Sequence, residues 1–171
     1  MKLPYLDKLI IGCWQLAQGH SEAAQTEALN VLESYYAAGF RVFDCADIYT
    51  GVEDLLGQFV KTHQLGASDI KIHTKYVPDM SLLATLTPEQ TEAMIDRSCT
   101  RLGCGQLDLV QFHWWHYDTG NYLKAIKNIK NLRDKGKVKE IGLTNFNAER
   151  VAEIVEYGIP VASVQTQYSV I

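Results

Sequence analysis

Six short apolar runs recur along this chain, and the five intervals between them have helical spacing. No other feature constrains the fold as tightly. LIIGCW (9–14), FRVFDC (40–45), DIKIHTK (69–75), LDLVQFH (107–113), VKEIGL (138–143) and PVASVQTQY (160–168) read as strands. The first interval, SEAAQTEALNVLESYYAAG, has Ser21 as an expected N-cap and Gly39 as a C-terminal stop. The second runs from Glu53 to about Gln64, with Leu55, Leu56, Phe59 and Val60 on one face. The third opens on Thr87-Pro88, the fourth runs from Asn121 to about Lys135, and the fifth, NAERVAEIVEYG, stops at Gly158.

Each interval is long enough to return the chain for a parallel neighbour, and such crossovers are almost always right-handed. The apolar strands fit a sheet covered on both faces. No GxGxxG follows the first strand, so a doubly wound nucleotide-binding fold lacks its phosphate-binding turn. The expected class is α/β: a parallel (β/α) barrel of TIM type in one domain spanning 1–171. A complete barrel of this kind has eight strands in about 250 residues, so the expectation is an incomplete barrel, truncated after its sixth strand.

Composition narrows the function. The chain has 171 residues, 47% hydrophobic and 21% charged, an ordinary globular balance. Its net charge of -4, without a basic run, argues against nucleic acid or an anionic membrane surface as partner. No apolar window is long enough for a membrane-spanning helix, and MKLPYLDKLIIG does not read as a secretory signal. A cytoplasmic location is expected. The four cysteines form no CxxC pair and have no metal-like histidine spacing, so they read as reduced thiols. Cys13 and Cys45 are expected on strands, and Cys99 and Cys104 as small hydrophobes flanking a helix end.

In a parallel barrel the C-terminal strand ends converge on the face where active sites lie. Asp44 and Tyr49 follow the second strand, Lys75 ends the third and His113 ends the fourth. Thr144 and Asn145 follow the fifth, and Gln165 lies in the sixth. Taken singly, each has a plain reading: a solvated lysine, a turn-capping aspartate, a packing tyrosine, a core histidine between Phe112 and Trp114. Their joint order at the ends of consecutive strands favours chemistry. A free tyrosine is a reluctant acid at neutral pH, and a nearby ammonium stabilises a phenolate. A carboxylate fixes that ammonium, and a histidine orients a carbonyl oxygen. Such a set protonates a carbonyl while another species delivers hydride, and no side chain can donate hydride, so a nicotinamide is implied. Trp14 and Trp114 are candidates for an aromatic substrate pocket. Trp115 is the weaker candidate, because neighbouring strand residues point oppositely. His20, His63, His73 and His116 read as surface or packing residues.

Four segments carry a resemblance to the aldo-keto reductases. FDCADIYTGVEDLLG resembles F-D-T-A-x-x-Y-G…E-x-x-L-G, and RLGCGQLDLVQFHWW resembles R-L-x-x-D-Y-I-D-L-x-x-x-H-x-x. KGKVKEIGLTNFN is similar to G-K-I-R-x-I-G-V-S-N-F, and VASVQTQYSVI to V-x-Q-x-x-Y-[NS]. The resemblance implies Tyr49 as general acid, Lys75 as its cationic neighbour, Asp44 paired with Lys75, and His113 positioning the carbonyl. It implies that Thr144 (usually Ser in the family), Asn145 and Gln165 hold the nicotinamide carboxamide. Gly12, Trp14 and Asp44 would approach the cofactor or substrate. The cofactor would be NADPH, or NADH, extended across the barrel mouth, and the substrate a small aldehyde or ketone. No metal is implied. The family's seventh and eighth strands, which grip the cofactor phosphates, have no counterpart here. The 171-residue chain alone is therefore expected to hold NADPH weakly and to self-associate through its open edges. A non-catalytic module of the same fold and an inert fragment are the alternatives.

Overall fold

The structure, a computed structural model, describes residues 8–18 and 22–168. Ser21 and His20 lie outside the described residues, so the cap expected at Ser21 is not addressed. The strands are β1 (Ile11–Gly12), β2 (Val42–Asp44), β3 (Lys71–Tyr76), β4 (Leu107–Phe112), β5 (Val138–Thr144) and β6 (Ser163–Gln165). The helices are α1 (Glu22–Ala37), α2 (Val52–Thr62), α3 (Pro88–Leu102), α4 (Tyr122–Asp134) and α5 (Ala148–Glu156).

Local chemistry explains the helix starts. Thr87 Oγ1 accepts from Gln90 N at 3.2 Å, and the Gln90 side chain accepts from Thr87 N at 2.9 Å. This capping box satisfies two first-turn donors, and Pro88 follows where its missing N–H is no loss. Asn121 caps α4 by accepting from Lys124 N at 3.0 Å, and Asn147 caps α5 by accepting from Arg150 N at 3.0 Å.

All six strands form one sheet in the order β1-β2-β3-β4-β5-β6, and every neighbouring pair is parallel. The sheet curls with its helices between the strands, as an incomplete α/β barrel of TIM type. Leu56 and Phe59 of α2, Ile95 and Leu102 of α3, Ile126 and Ile129 of α4 and Ile154 of α5 are buried against it. Each such side chain contributes about 1.5–3 kcal/mol by leaving water. One contact fixes the spacing of two helices: a Cβ on Gly57 of α2 would lie 2.1 Å from the Arg101 carbonyl oxygen of α3. Only glycine lets the helices approach this closely.

The edge strands are shorter than their apolar runs suggest. Leu9 and Ile10 are half-exposed, and β1 pairs only through Ile11 and Gly12. An edge strand has one partner, so its hydrophobic run extends past its hydrogen-bonded ladder. Cys13 and Cys45 correspondingly stand one residue beyond β1 and β2. Their amides still bond across the sheet, Cys13 N to Asp44 O at 2.9 Å and Cys45 N to His73 O at 2.8 Å.

Candidate active site

The register of β2, β3 and β4 builds the centre of the site. Asp44 lies opposite His73, and Lys75 opposite Gln111. The Lys75 ammonium donates to Asp44 Oδ2 and to Cys45 O, the latter at 2.9 Å. Gln111 Nε2 donates to the other Asp44 oxygen at 2.6 Å. Both members of the ion pair are buried. A buried pair of this kind is held by its additional hydrogen bonds, because the attraction of the two charges alone barely offsets their desolvation. Lys75 Nζ lies 5.3 Å from the centroid of the Tyr49 ring.

Above this pair opens a cleft of about 490 Å³, lined by Tyr49, Lys75, His113, Trp115, Thr144, Asn145 and Gln165 among others. Six of the expected site residues thus share one cavity. Asp44 does not line it and reaches it only through its bond to Lys75. The His113 ring packs edge-on against Trp115, with centroids 4.7 Å apart. Burial pushes the His113 imidazole below its ordinary value; the backbone at Thr144 opposes that shift and the Lys75 ammonium adds to it. The ring is therefore neutral at physiological pH. Asn145 has a left-handed backbone, φ 61, and its amide donates to Gln165 O at 2.9 Å. Asparagine tolerates this conformation better than most residues, and such strain collects at functional sites. Among the described residues, His113 Nδ1 and Thr144 Oγ1 are buried without a hydrogen-bond partner. Ser163 Oγ is a third such atom, and of the three Thr144 Oγ1 and His113 Nδ1 belong to residues that line the cleft.

The tryptophans fall differently from expectation. Trp114 is 3% exposed, stacks near Phe112 at 5.7 Å, and donates from Nε1 to His116 O and Thr119 O, both at 3.1 Å. It belongs to the core. Trp115 lines the cleft instead, with Nε1 donating to Pro78 O at 2.8 Å. The alternation of β4 carries on past its end at Phe112: Phe112 and Trp114 are buried in the core, while His113 and Trp115 line the cleft. Counting from His113 would have selected Trp115. Trp14 is 52% exposed in a one-turn 3-10 helix, and Gly12 ends β1 opposite Asp44. Neither lines the cleft.

Sequence reasoning also missed the layer that supports the site. Gln111, the one uncharged polar residue in the run LDLVQF, was legible as an anomaly in a buried strand. A second set lies behind the Tyr49 loop. Asp47 accepts from Val77 N at 3.2 Å, and Glu53 accepts from Thr74 Oγ1 at 2.7 Å. Arg101 Nη1 of α3 donates to Asp47 O and to Glu53 Oε2, both at 3.2 Å. Burial raises the Asp47 carboxyl to about 7, more than its hydrogen bond to Val77 and Arg97 can offset. Glu53 alone looks like an ordinary first-turn acid, so its buried role had no sequence signal. Among the described residues, no group of three or more His, Cys, Asp or Glu side chains could hold a metal ion, and no helix is long and apolar enough to cross a membrane.

A parallel sheet in sequential order, with polar groups gathered at the strand C-termini, defines the class as an incomplete TIM-type α/β barrel with a polar cleft at its mouth. The model of the Aldo/keto reductase family matches residues 8–171, and the chain belongs to that family. An aldo-keto reductase of Mycolicibacterium smegmatis is 31% identical over 147 residues, covering 85% of this chain and 48% of the relative. Aldo-keto reductase family 1 member A1 of Cricetulus griseus is 28% identical, with the same coverage of 85% and 48%. The chain thus spans about half the length of the curated relatives it matches. The solved aldo/keto reductase of Brucella melitensis superposes with a TM-score of 0.76 at 26% identity, over 94% of this chain and 58% of that one. A Bombyx mori aldo-keto reductase solved in complex with NADPH shares the fold, with a TM-score of 0.79 at 24% identity over 93% of this chain and 50% of that one.

Proposed function

We propose that this chain supplies the catalytic groups of an NAD(P)H-dependent reductase that converts small aldehydes or ketones to alcohols. One observation carries the reading: Tyr49, Lys75 and His113 share a cleft, with Lys75 clamped by Asp44. The unpartnered Thr144 hydroxyl, with Asn145 and Gln165 beside it, fits the donor and acceptor of a nicotinamide carboxamide. A reduced nicotinamide, when bound, supplies hydride. Tyr49 donates its phenolic proton to the carbonyl oxygen. Lys75 holds a fixed positive charge beside the Tyr49 ring, and Asp44 with Gln111 prevents that ammonium from swinging into solvent. The neutral His113 ring hydrogen-bonds the substrate carbonyl and sets its direction, while Trp115 screens it from water. NADPH is the cofactor assigned, in line with the fold shared with the NADPH-bound silkworm enzyme, and NADH is the alternative. The four free cysteines fit a reducing cytoplasmic setting.

The test of the tyrosine uses a protein that contains this chain within a closed barrel. Tyr49→Phe is expected to lower aldehyde reduction by about 10²–10⁴-fold, the usual size of an acid–base contribution. NADPH binding, followed by quenching of tryptophan fluorescence, should be retained. A Phe variant that reduces aldehydes at the parental rate would falsify the role of Tyr49.

The two sheet edges carry a separate expectation. Among the described residues, β1 and β6 each have one strand neighbour, and Val164 on β6 is 44% exposed. Unpaired edges template association. The 171-residue chain should therefore scatter light as a dimer or larger species, and a stable monomer would remove this part of the reading.

A further inference from the structure

The end of α3 brings two cysteines together. Gly103 closes the helix with φ +68; its amide donates to Thr100 O at 3.2 Å, and Cys104 N donates to Cys99 O at 3.0 Å. In this left-handed glycine closure, the residues joined by the longer-range bond commonly meet through an apolar side-chain contact. Here both of those residues are cysteines. Ordinary backbone dimensions limit the separation of their Cα atoms to about 7 Å, given that bond. That limit coincides with the reach of a disulfide.

Both thiols are free, half-buried, and open to a surface hollow that they share with Asp96, Thr100 and Lys137. Each sits against the other. Cys104 draws the Cys99 thiol below its ordinary value, and Cys99 pushes the Cys104 thiol above it. Asp96 opposes ionisation of Cys99 and Lys137 favours it. Each thiol is thereby positioned to resolve a mixed disulfide formed on the other. Cys13 and Cys45 differ in every respect. They are fully buried, and burial raises the Cys13 thiol to about 12 and the Cys45 thiol well above its usual range.

We propose that Cys99 and Cys104 form a redox-sensitive dithiol site, which closes to an intramolecular disulfide by exchange with a small disulfide. The Cys99 thiolate attacks one sulfur of the small disulfide RSSR. A Cys99–S–S–R bond forms and one RS⁻ leaves. Cys104 then gives its proton to solvent and attacks the Cys99 sulfur. The Cys99–Cys104 bond forms and the second RS⁻ departs. Two protein thiols are oxidised, and one RSSR is reduced to two RSH. Arg101, which supports Asp47 and Glu53 behind the cleft, lies on the turn enclosed by this bridge.

Arg101 is also a trypsin site between the two cysteines, which makes the test direct. The reduced 171-residue chain is treated with excess oxidised glutathione, alkylated and digested without reduction. The expected result is that peptides 98–101 and 102–124 remain joined, and that the intact chain is lighter by about two hydrogens with no retained adduct. Cys99→Ser and Cys104→Ser should each keep one glutathione adduct instead. A parental chain that retains separate adducts on both residues, or leaves both thiols alkylatable, overturns the proposal.

Discussion

The two ends of the curled sheet are built from the same strands and differ in almost everything else. At the C-terminal end, β2 to β6 present Asp44, Lys75, Thr144 and Gln165 from the strands, with Tyr49, His113 and Asn145 on the loops just beyond, around an open cleft. At the N-terminal end, Val60, Leu65, Ile70, Ile72, Leu102 and Leu107 line a smaller cavity of about 160 Å³. The main polar feature there is the partly exposed pair of Lys71 with Asp108 at 3.1 Å. One end keeps buried charge and unmatched hydrogen-bonding atoms. The other satisfies itself with apolar contact. The lesson is a division of labour: substitutions at the mouth should remove chemistry, and substitutions at the opposite end should remove stability alone.

The largest expected effect is the one that breaks this division. Among the described residues, Lys75→Met leaves the buried Asp44 carboxylate with Gln111 as its remaining side-chain partner. Loss of one member of a buried pair costs about 3–5 kcal/mol, so denaturant unfolding should shift by that amount while reduction is also lost. A Met variant as stable as the parent would mean that Asp44 is not held as a charge. At the opposite end, Leu107→Ala should cost about 2–3 kcal/mol, the low side of the usual range, because an existing cavity already borders the side chain. Its rate per folded molecule should match the parent in a closed-barrel protein; a changed rate would show that the two ends are coupled.

The narrowest effect, confined to one pH window, concerns Asp47. Its folded value of about 7 lies well above the 3.8 of the free side chain. A raised acid of this kind adds stability below about pH 4, and that contribution is lost as pH rises through 7. Asp47→Asn keeps the neutral hydrogen-bonding form at every pH. The thermal midpoint of the parent should therefore fall further between about pH 4 and 7 than that of the variant. Identical profiles would mean that Asp47 is ionised within the fold.

Much of this architecture was legible because period and punctuation are local signals. Thr87-Pro88, Asn121 and Asn147 announce their helices, and the apolar runs announce a sheet covered on both faces. The ends of β1 and β6 were not legible, since hydrophobicity reports burial and not pairing. The mouth residues could be selected because a parallel barrel sends every strand C-terminus to one face. The Trp114–Trp115 choice failed on phase, although the alternation that decides it was present in the sequence. The support of the Tyr49 loop by Arg101 was invisible, since 54 residues separate Asp47 from its donor.

The sequence by itself determined the six strands and the five helices between them, the caps that begin the helices, and which polar residues stand at strand ends. Only the tertiary structure decided which partners those residues take. Asp44 ends β2 and Asp47 lies three residues further on, yet Lys75 binds the first while the second turns back toward Val77, Arg97 and Arg101. Gln111 reaches Asp44 across 67 residues of chain. Such pairings depend on the register between parallel strands and on the curl of the sheet. Both arise from packing the whole set of helices against it, and no window of a few residues contains that information.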